Sequence, residues 1–371
     1  MTSLASSKRL VVKIGSSILV DETKSEVRRD WLEALSRDVA GLHKSGCEIV
    51  LVSSGAIRLG RTHLKLAAGP LRLEESQAAA ATGQIQLAHA YQAALAQHGI
   101  TVAQVLLTLD DSEERRRYLN ARQTMATLLG LKAVPVINEN DTVATDEIRF
   151  GDNDRLGARV AEMISADTLV LLSDVDGLYS GDPRSDASAK HIAEIREITP
   201  EIEAMGGSAA SALSNGGMAT KLIAGRIAMA AGCRMAIADG RPVGALGALI
   251  TGAARCSWFL PDASPLSARK KWIKGSLKSS GTLTVDDGAA RALSAGKSLL
   301  PAGVTAINGE FRRGDVVEVK DRAGHVLARG LVAYAAEDAR RIAGHKSVEI
   351  EHLLGFRGRD EMVHRDDLVV E

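Results

Sequence analysis

Apolar and polar positions follow two rhythms along this chain. Residues 8–14 form a short apolar run, with Leu10, Val11, Val12 and Ile14 reading as a buried strand and Lys13 set inside it. Residues 30–45 change period: Trp31, Leu32, Leu35, Val39 and Leu42 recur at helical spacing, with Asp30 as a candidate cap and Gly46 as a stop. Residues 48–52, "EIVLV", return to a continuous apolar run. The alternation continues with helix over 74–98, strand over 101–107, helix over 118–129 and strand over 133–137. It then gives helix over 155–165, strand over 167–172, helix over 219–231 and strand over 234–238. Apolar runs between amphipathic helices predict parallel strands covered on both faces. The pattern therefore predicts an open α/β/α sandwich with a mostly parallel sheet.

The pattern breaks near residue 262. "DASPLSARKKWIKGSLKSSG" is polar, basic and rich in Ser and Gly, as a linker would be. Short strands follow in "GTLTV", "GDVVEVKD" and "HVLARGLVAY". The expected organisation is an α/β domain over 1–262, a linker over 263–279 and a small, mostly β domain over 280–371.

Composition narrows the functional class. The chain has 371 residues, 45% apolar and 25% charged, with zero formal net charge. Nothing global draws it to nucleic acid or an anionic membrane. Aromatics are 3%, too few for base-stacking platforms. Cys47, Cys233 and Cys256 are isolated thiols, as expected of a reducing compartment. No signal-peptide core and no membrane-length apolar run occurs, so a soluble cytoplasmic protein is expected.

Common signatures are missing: no GxGxxG, no HExxH and no GxSxG. "AGKS" at 295–298 lacks the first glycine and the strand–helix setting of a P-loop. What remains is a series of Gly-rich or acidic turns expected at the C-terminal ends of strands, where open α/β sheets bind ligands. They are "KIGSS" (13–17), "SSGAI" (53–57), "NEND" (138–141), "GDND" (151–154), "SDVDGLY" (173–179) and "NGGMATK" (215–221). Each has a bland reading on its own: a strand lysine usually reaches solvent or an acid, and "GDND" is an ordinary polar turn. Together they suggest phosphate binding. Gly15, Gly55, Gly216 and Gly217 would let backbone N–H groups approach an anion. A helix starting near Ala219 would add its positive end. Lys13 and Lys221 would supply cations, and Asp152 and Asp154 are carboxylates for which those lysines are candidate partners.

These segments, with "VPVINENDTVAT", "FGDNDRLGARVA", "LLSDVDGLYSGDPR", "GGMATK" and the later "RKKWI" and "GLVAY…RRIAGH", resemble the glutamate 5-kinase family over nearly the whole chain. Members have the amino-acid-kinase fold and a C-terminal PUA domain. The resemblance implies ATP-dependent phosphorylation of the side-chain carboxylate of L-glutamate, the first step of proline biosynthesis, with Mg²⁺ accompanying ATP. It makes Lys13 and Lys221 the phosphate-facing lysines and Asp154 the acid that holds them. Ser54, Asp141 and Asn153 match glutamate-binding positions, with Asn138 and Asp152 in the same loops. Gly15, Ser173, Asp174 and the run Asn215, Gly216, Gly217, Met218, Ala219, Thr220 and Lys221 match ATP-binding segments. Asn215 departs from the pattern, since Thr is commoner there. The resemblance also implies a homo-oligomer, feedback inhibition by proline and hand-over of the product to a reductase.

The chemistry agrees with the absence of a catalytic His or Ser triad. A glutamate side chain, with pKa near ~4.3, is already ionised at neutral pH and needs no general base. The obstacle is electrostatic, because two like charges ~4 Å apart repel by about 4 kcal/mol at an effective dielectric near 20. Cations and N–H donors around the transferring group are therefore the requirement. Two rival readings remain: another carboxylate kinase of the same fold, and an RNA-binding PUA protein. The slightly acidic balance of 280–371 and the scarcity of aromatics oppose the second.

Overall fold

The structure is a computed structural model, and it describes all residues except 1–3, 22–24, 144–152, 187, 208–216 and 276–278. The chain divides into two compact units, Met1–Pro265 and Leu266–Glu371.

The first unit is built on an eight-stranded sheet. Its strands are β1 (Arg9–Ile14), β2 (Glu48–Val52), β3 (Val102–Leu107), β4 (Val134–Glu139) and β5 (Thr168–Ser173). A ribbon of β6 (Leu178–Tyr179) and β7 (His191–Ile192) stands apart. β8 (Glu194–Ile195), β9 (Arg234–Asp239) and β10 (Cys256–Phe259) complete the large sheet. The order is β3-β4-β2-β1-β5-β9-β10-β8, and every pairing is parallel except β9 with β10. Helices Arg29–Lys44, Leu73–Ala96 and Ala245–Ile250 cover one face, and Arg115–Gly130, Asn153–Met163 and Met218–Ala230 cover the other.

β1 is the centre of the sheet, flanked by β2 and β5. Its side chains alternate between the two cores. Leu10, Val12 and Ile14 join the first core, and Val11 joins the second. By the same alternation Lys13 turns to the second face. Its stem lies against the helix Asn153–Met163, where a Cβ on Gly157 would sit 3.4 Å from the Lys13 Cβ.

Several elements depart from the pattern-based expectation. Arg28, not Asp30, occupies the N-cap of the first long helix, and Asp30 lies in its first turn. Gly46 does follow that helix, at φ +92°. The helix expected from 155 starts at Asn153, so Asn153 and Asp154 form its first turn. Asn138 lies within β4 rather than in a turn after it. Within "NGGMATK" a helix starts at Met218, one residue before the start expected near Ala219, and the last two residues of "GDND" open a helix rather than ending a strand. No helix among the described residues is long and apolar enough to cross a membrane.

Helices Ala56–His63 and Leu73–Ala96 touch backbone to backbone. A Cβ on Gly60 would lie 1.8 Å from the Ala79 carbonyl oxygen, and one on Gly83 would lie 1.8 Å from that of Ala56. Neither obstacle is a movable side chain. Gly83→Ala is expected to lower stability by about 1–3 kcal/mol through overpacking, read as an earlier urea midpoint. An unchanged midpoint would show that the helices do not need this close approach.

The second unit has a five-stranded mixed sheet. Its strands are β11 (Gly281–Val285), β12 (Val304–Gly309), β13 (Val316–Lys320), β14 (Val326–Leu331) and β15 (Leu368–Val370), in the order β12-β11-β13-β14-β15. Leu283, Val317, Val319, Ala339, Ile342 and Met362 are among its core residues. The segment expected as a linker carries a helix, Pro265–Gly275, with Ile273 buried. Proline is at home in a first helical turn, where its missing N–H costs no hydrogen bond.

Candidate active site

The C-terminal edge of the parallel strands gathers three buried charges. Lys13 stands one residue from the end of β1, Asp154 is in the first turn of Asn153–Met163, and Lys221 is in the first turn of Met218–Ala230. Lys13 Nζ lies 2.6 Å from Asp154 Oδ1, and Lys221 Nζ lies 3.0 Å from Asp154 Oδ2. The side chains are 10%, 3% and 1% exposed for Lys13, Lys221 and Asp154. Burial alone would raise the Asp154 pKa, but the two ammonium groups and their hydrogen bonds outweigh it and hold the carboxyl below its ordinary value. One carboxylate thus orients two lysines, and the trio itself carries one net positive charge.

The Met218–Ala230 helix presents its N-terminus beside this trio. Gly217 is its N-cap, in extended conformation, and Met218, Ala219 and Thr220 begin the helix. Thr220 Oγ1 donates to the Gly217 carbonyl at 2.8 Å and lies 3.4 Å from Asp154 Oδ2. First-turn N–H groups have no partner within a helix and suit an anion.

Beside the charges lies an amide relay. Asn153 Nδ2 donates to the Ser53 carbonyl at 2.6 Å and lies 2.8 Å from Ser54 Oγ and 2.9 Å from Asn138 Oδ1. Asn138 Nδ2 donates to Gln84 Oε1 at 2.7 Å. The relay ties together the turn after β2, β4 and two helices, so Ser54, Asn138 and Asn153, all expected in the site, do meet. Asp141 follows in the turn after β4, and burial pushes its carboxyl up to about 6.

Other expected residues lie along the same edge. Ser173 closes β5 and donates to Asp174 Oδ1 at 3.0 Å. Gly55 adopts φ +105°, where a side chain would be strained. Gly15 follows β1, and its own N–H donates to the Leu172 carbonyl at 3.2 Å, so that one amide is engaged with the sheet. Asp152, Asn215 and Gly216 lie outside the described residues.

Two features escaped the sequence reading. Gln84 resembled any polar position on an Ala-rich helix. A cavity of about 480 Å³ is lined by Asp176, Asp239, Val243, Gly244 and Arg255, among others. The turn "DGRPVG" at 239–244 is rich in Gly and Pro and was the available signal. Asp176 is fixed there by Arg255 Nε at 2.6 Å and by the Tyr179 hydroxyl at 3.0 Å.

Residues 8–239 match the model of the amino acid kinase family. The chain belongs to the amino acid kinase family. Residues 281–354 match the PUA domain. Similarity to curated amino acid kinases spans the full length. The glutamate 5-kinase of Paramagnetospirillum magneticum is 64% identical over 371 residues, covering 100% of both chains. That of Paracoccus denitrificans is 59% identical over 367 residues, covering 99% of this chain and 98% of its own. Among solved structures, carbamate kinase from Giardia lamblia bound to AMP-PNP is similar with a TM-score of 0.50 at 17% identity. It covers 70% of this chain and 100% of its own, a likeness of fold. The expected sandwich with a PUA domain is therefore correct.

Proposed function

We propose that this chain transfers the γ-phosphoryl group of ATP to the side-chain carboxylate of L-glutamate, giving ADP and L-glutamyl 5-phosphate, the first step of proline biosynthesis. The observation that carries this reading is the pair of buried lysines sharing Asp154, beside a helix N-terminus at the ligand-binding edge of the sheet. Full-length similarity to glutamate 5-kinases supports the choice of substrate.

The attacking carboxylate arrives ionised, so the site must offset charge rather than move a proton. Lys13 is assigned to the phosphoryl group in transfer and Lys221 to the leaving-group side. Asp154 is the positioning residue for both. Gly217, Met218, Ala219 and Thr220 would offer N–H groups to the phosphates, with Asn215 and Gly216 in the same run. Ser173 and Asp174 lie on the nucleotide side, and the cavity by Asp176 and Asp239 is of a size for part of a nucleotide. ATP would arrive as its Mg²⁺ complex. Among the described residues no cluster of three metal-ligating side chains occurs, and Asp154 spends both oxygens on the lysines. That suits an ion held mainly by phosphate oxygens and water, where it neutralises phosphate charge.

Ser54, Asn138, Asp141 and Asn153, with Asp152 in the same loop, are assigned to glutamate. Asp141 would face the α-ammonium group. Its raised pKa means the folded chain favours the proton more than the unfolded chain does. The stability this adds is present below the ordinary value of 3.8 and is lost as pH rises through about 6. A bound ammonium group would offset the cost of the charged form. The expected result is that kcat/KM for glutamate falls about tenfold per pH unit below pH 6, while KM for ATP stays level. Asp141→Asn should raise KM for glutamate and flatten that acid limb. A wild-type profile level from pH 5 to 8 would remove Asp141 from this role.

The acyl phosphate product is reactive, and a reductase is the class of enzyme that would consume it. A cytoplasmic homo-oligomer inhibited by proline completes the reading. ADP release measured with L-glutamate, N-acetyl-L-glutamate and L-aspartate tests the substrate. Turnover is expected with free L-glutamate; turnover confined to either of the others would refute it.

A further inference from the structure

Gln84 is 9% exposed and follows Gly83, whose backbone contact with Ala56 fixes this stretch of helix. The relay dictates how its amide is turned. The Glu139 backbone N–H can only donate, and it points at Asn138 Oδ1 at 2.9 Å. Asn138 Nδ2 is therefore a donor, and Gln84 must receive it on Oε1. Gln84 Nε2 is left as a buried donor with no hydrogen-bond partner among the described residues. At the other end, the Ser53 carbonyl can only accept, so Asn153 gives it Nδ2. Asn153 Oδ1 is then a buried acceptor, also without a partner among the described residues.

Two unmet polar atoms of opposite kind at the ends of one buried relay are a standing cost, which a ligand that offers an acceptor to one and a donor to the other would relieve. The zwitterionic end of an amino acid has this chemistry: a carboxylate and an ammonium on one carbon. The relay begins at Asn153, next in sequence to Asp154, and passes through Asn138 to Gln84, so Gln84 stands two side chains along it from Asn153.

We propose that Gln84 is a substrate-binding residue whose Nε2 donates to the α-carboxylate of the amino-acid substrate, while Asn153 Oδ1 accepts from the α-ammonium group. The proposal rests on the amino-acid kinase reading above. It makes Gln84 a determinant of selectivity, since a substrate lacking the α-carboxylate leaves the donor unmet.

Gln84→Glu tests it. The variant keeps an oxygen to accept from Asn138 and replaces the donor with an anionic oxygen. At pH 8 the KM for L-glutamate is expected to rise 30-fold or more, with the KM for ATP within twofold of wild type. If Gln84 serves only as a partner for Asn138, this variant leaves both values unchanged, and the proposal is overturned. Should it not fold, Gln84→Met removes both the donor and the oxygen that accepts from Asn138, without adding charge. A tenfold rise in the KM for glutamate, with kcat within threefold, is then expected, and an unchanged KM overturns the proposal. Wild-type protein that fails to turn over L-glutamate would refute the functional reading and this proposal together. Active wild type with an indifferent variant would refute this proposal alone.

Discussion

Lys221→Met is expected to lower kcat by at least 10²–10³-fold, about 3–4 kcal/mol of transition-state stabilisation, while the protein stays folded. Lys221 is on the first turn of its helix and 3% exposed, and Met fills nearly the same space without the ammonium group. Asp154 keeps Lys13 at 2.6 Å, so the carboxylate is not abandoned. What would be lost is the charge assigned above to the leaving-group side, where negative charge builds as the phosphoryl group departs. The loss should therefore appear in kcat, with a smaller change in the KM for glutamate. Steady-state kinetics beside a circular dichroism melt checks both halves. Turnover within threefold of wild type would remove Lys221 from the chemistry.

Asp154→Asn should be the most damaging single change to the site. It leaves two buried lysines without their shared carboxylate, and breaking a buried pair in this way costs about 3–5 kcal/mol. Thr220 also loses a charged neighbour, at 3.4 Å. Both lysines would then lose the carboxylate that orients them, so kcat should fall by about 10²-fold or more along with stability. ATP supplies anions of its own and should raise the melting temperature of this variant more than that of wild type. A denaturant titration and paired melts with and without ATP read these effects. Stability within about 0.5 kcal/mol of wild type would mean that the trio is not electrostatically bound.

The layers of the first unit were legible because apolar periodicity reports burial directly. The runs 8–14, 48–52 and 167–172 became β1, β2 and β5, the centre of the sheet. The side on which Lys13 emerges also follows from strand alternation, once Val11 is known to face the second core. Burial was not legible from local polarity: "GDND" taken alone reads as a polar turn, and Asn153 and Asp154 are buried because their partners, Ser53, Asn138, Lys13 and Lys221, come from distant parts of the chain. The polar segment 263–279 likewise gave no sign of the helix Pro265–Gly275 that lies within it. The pairings of the Gly15 amide and of the Gln84 side chain were not legible at all. Each depends on one hydrogen bond across the fold, to Leu172 and from Asn138, and no local spacing encodes it.

The central claim is that this site phosphorylates the side-chain carboxylate of free glutamate. Trapping the product with hydroxylamine tests it most directly, because an acyl phosphate converts to a hydroxamate at the carboxyl that carried the phosphoryl group. With ATP, Mg²⁺ and L-glutamate, the account predicts the γ-hydroxamate in amounts matching the ADP released. ADP without hydroxamate, or a hydroxamate at the α-carboxyl, would contradict it.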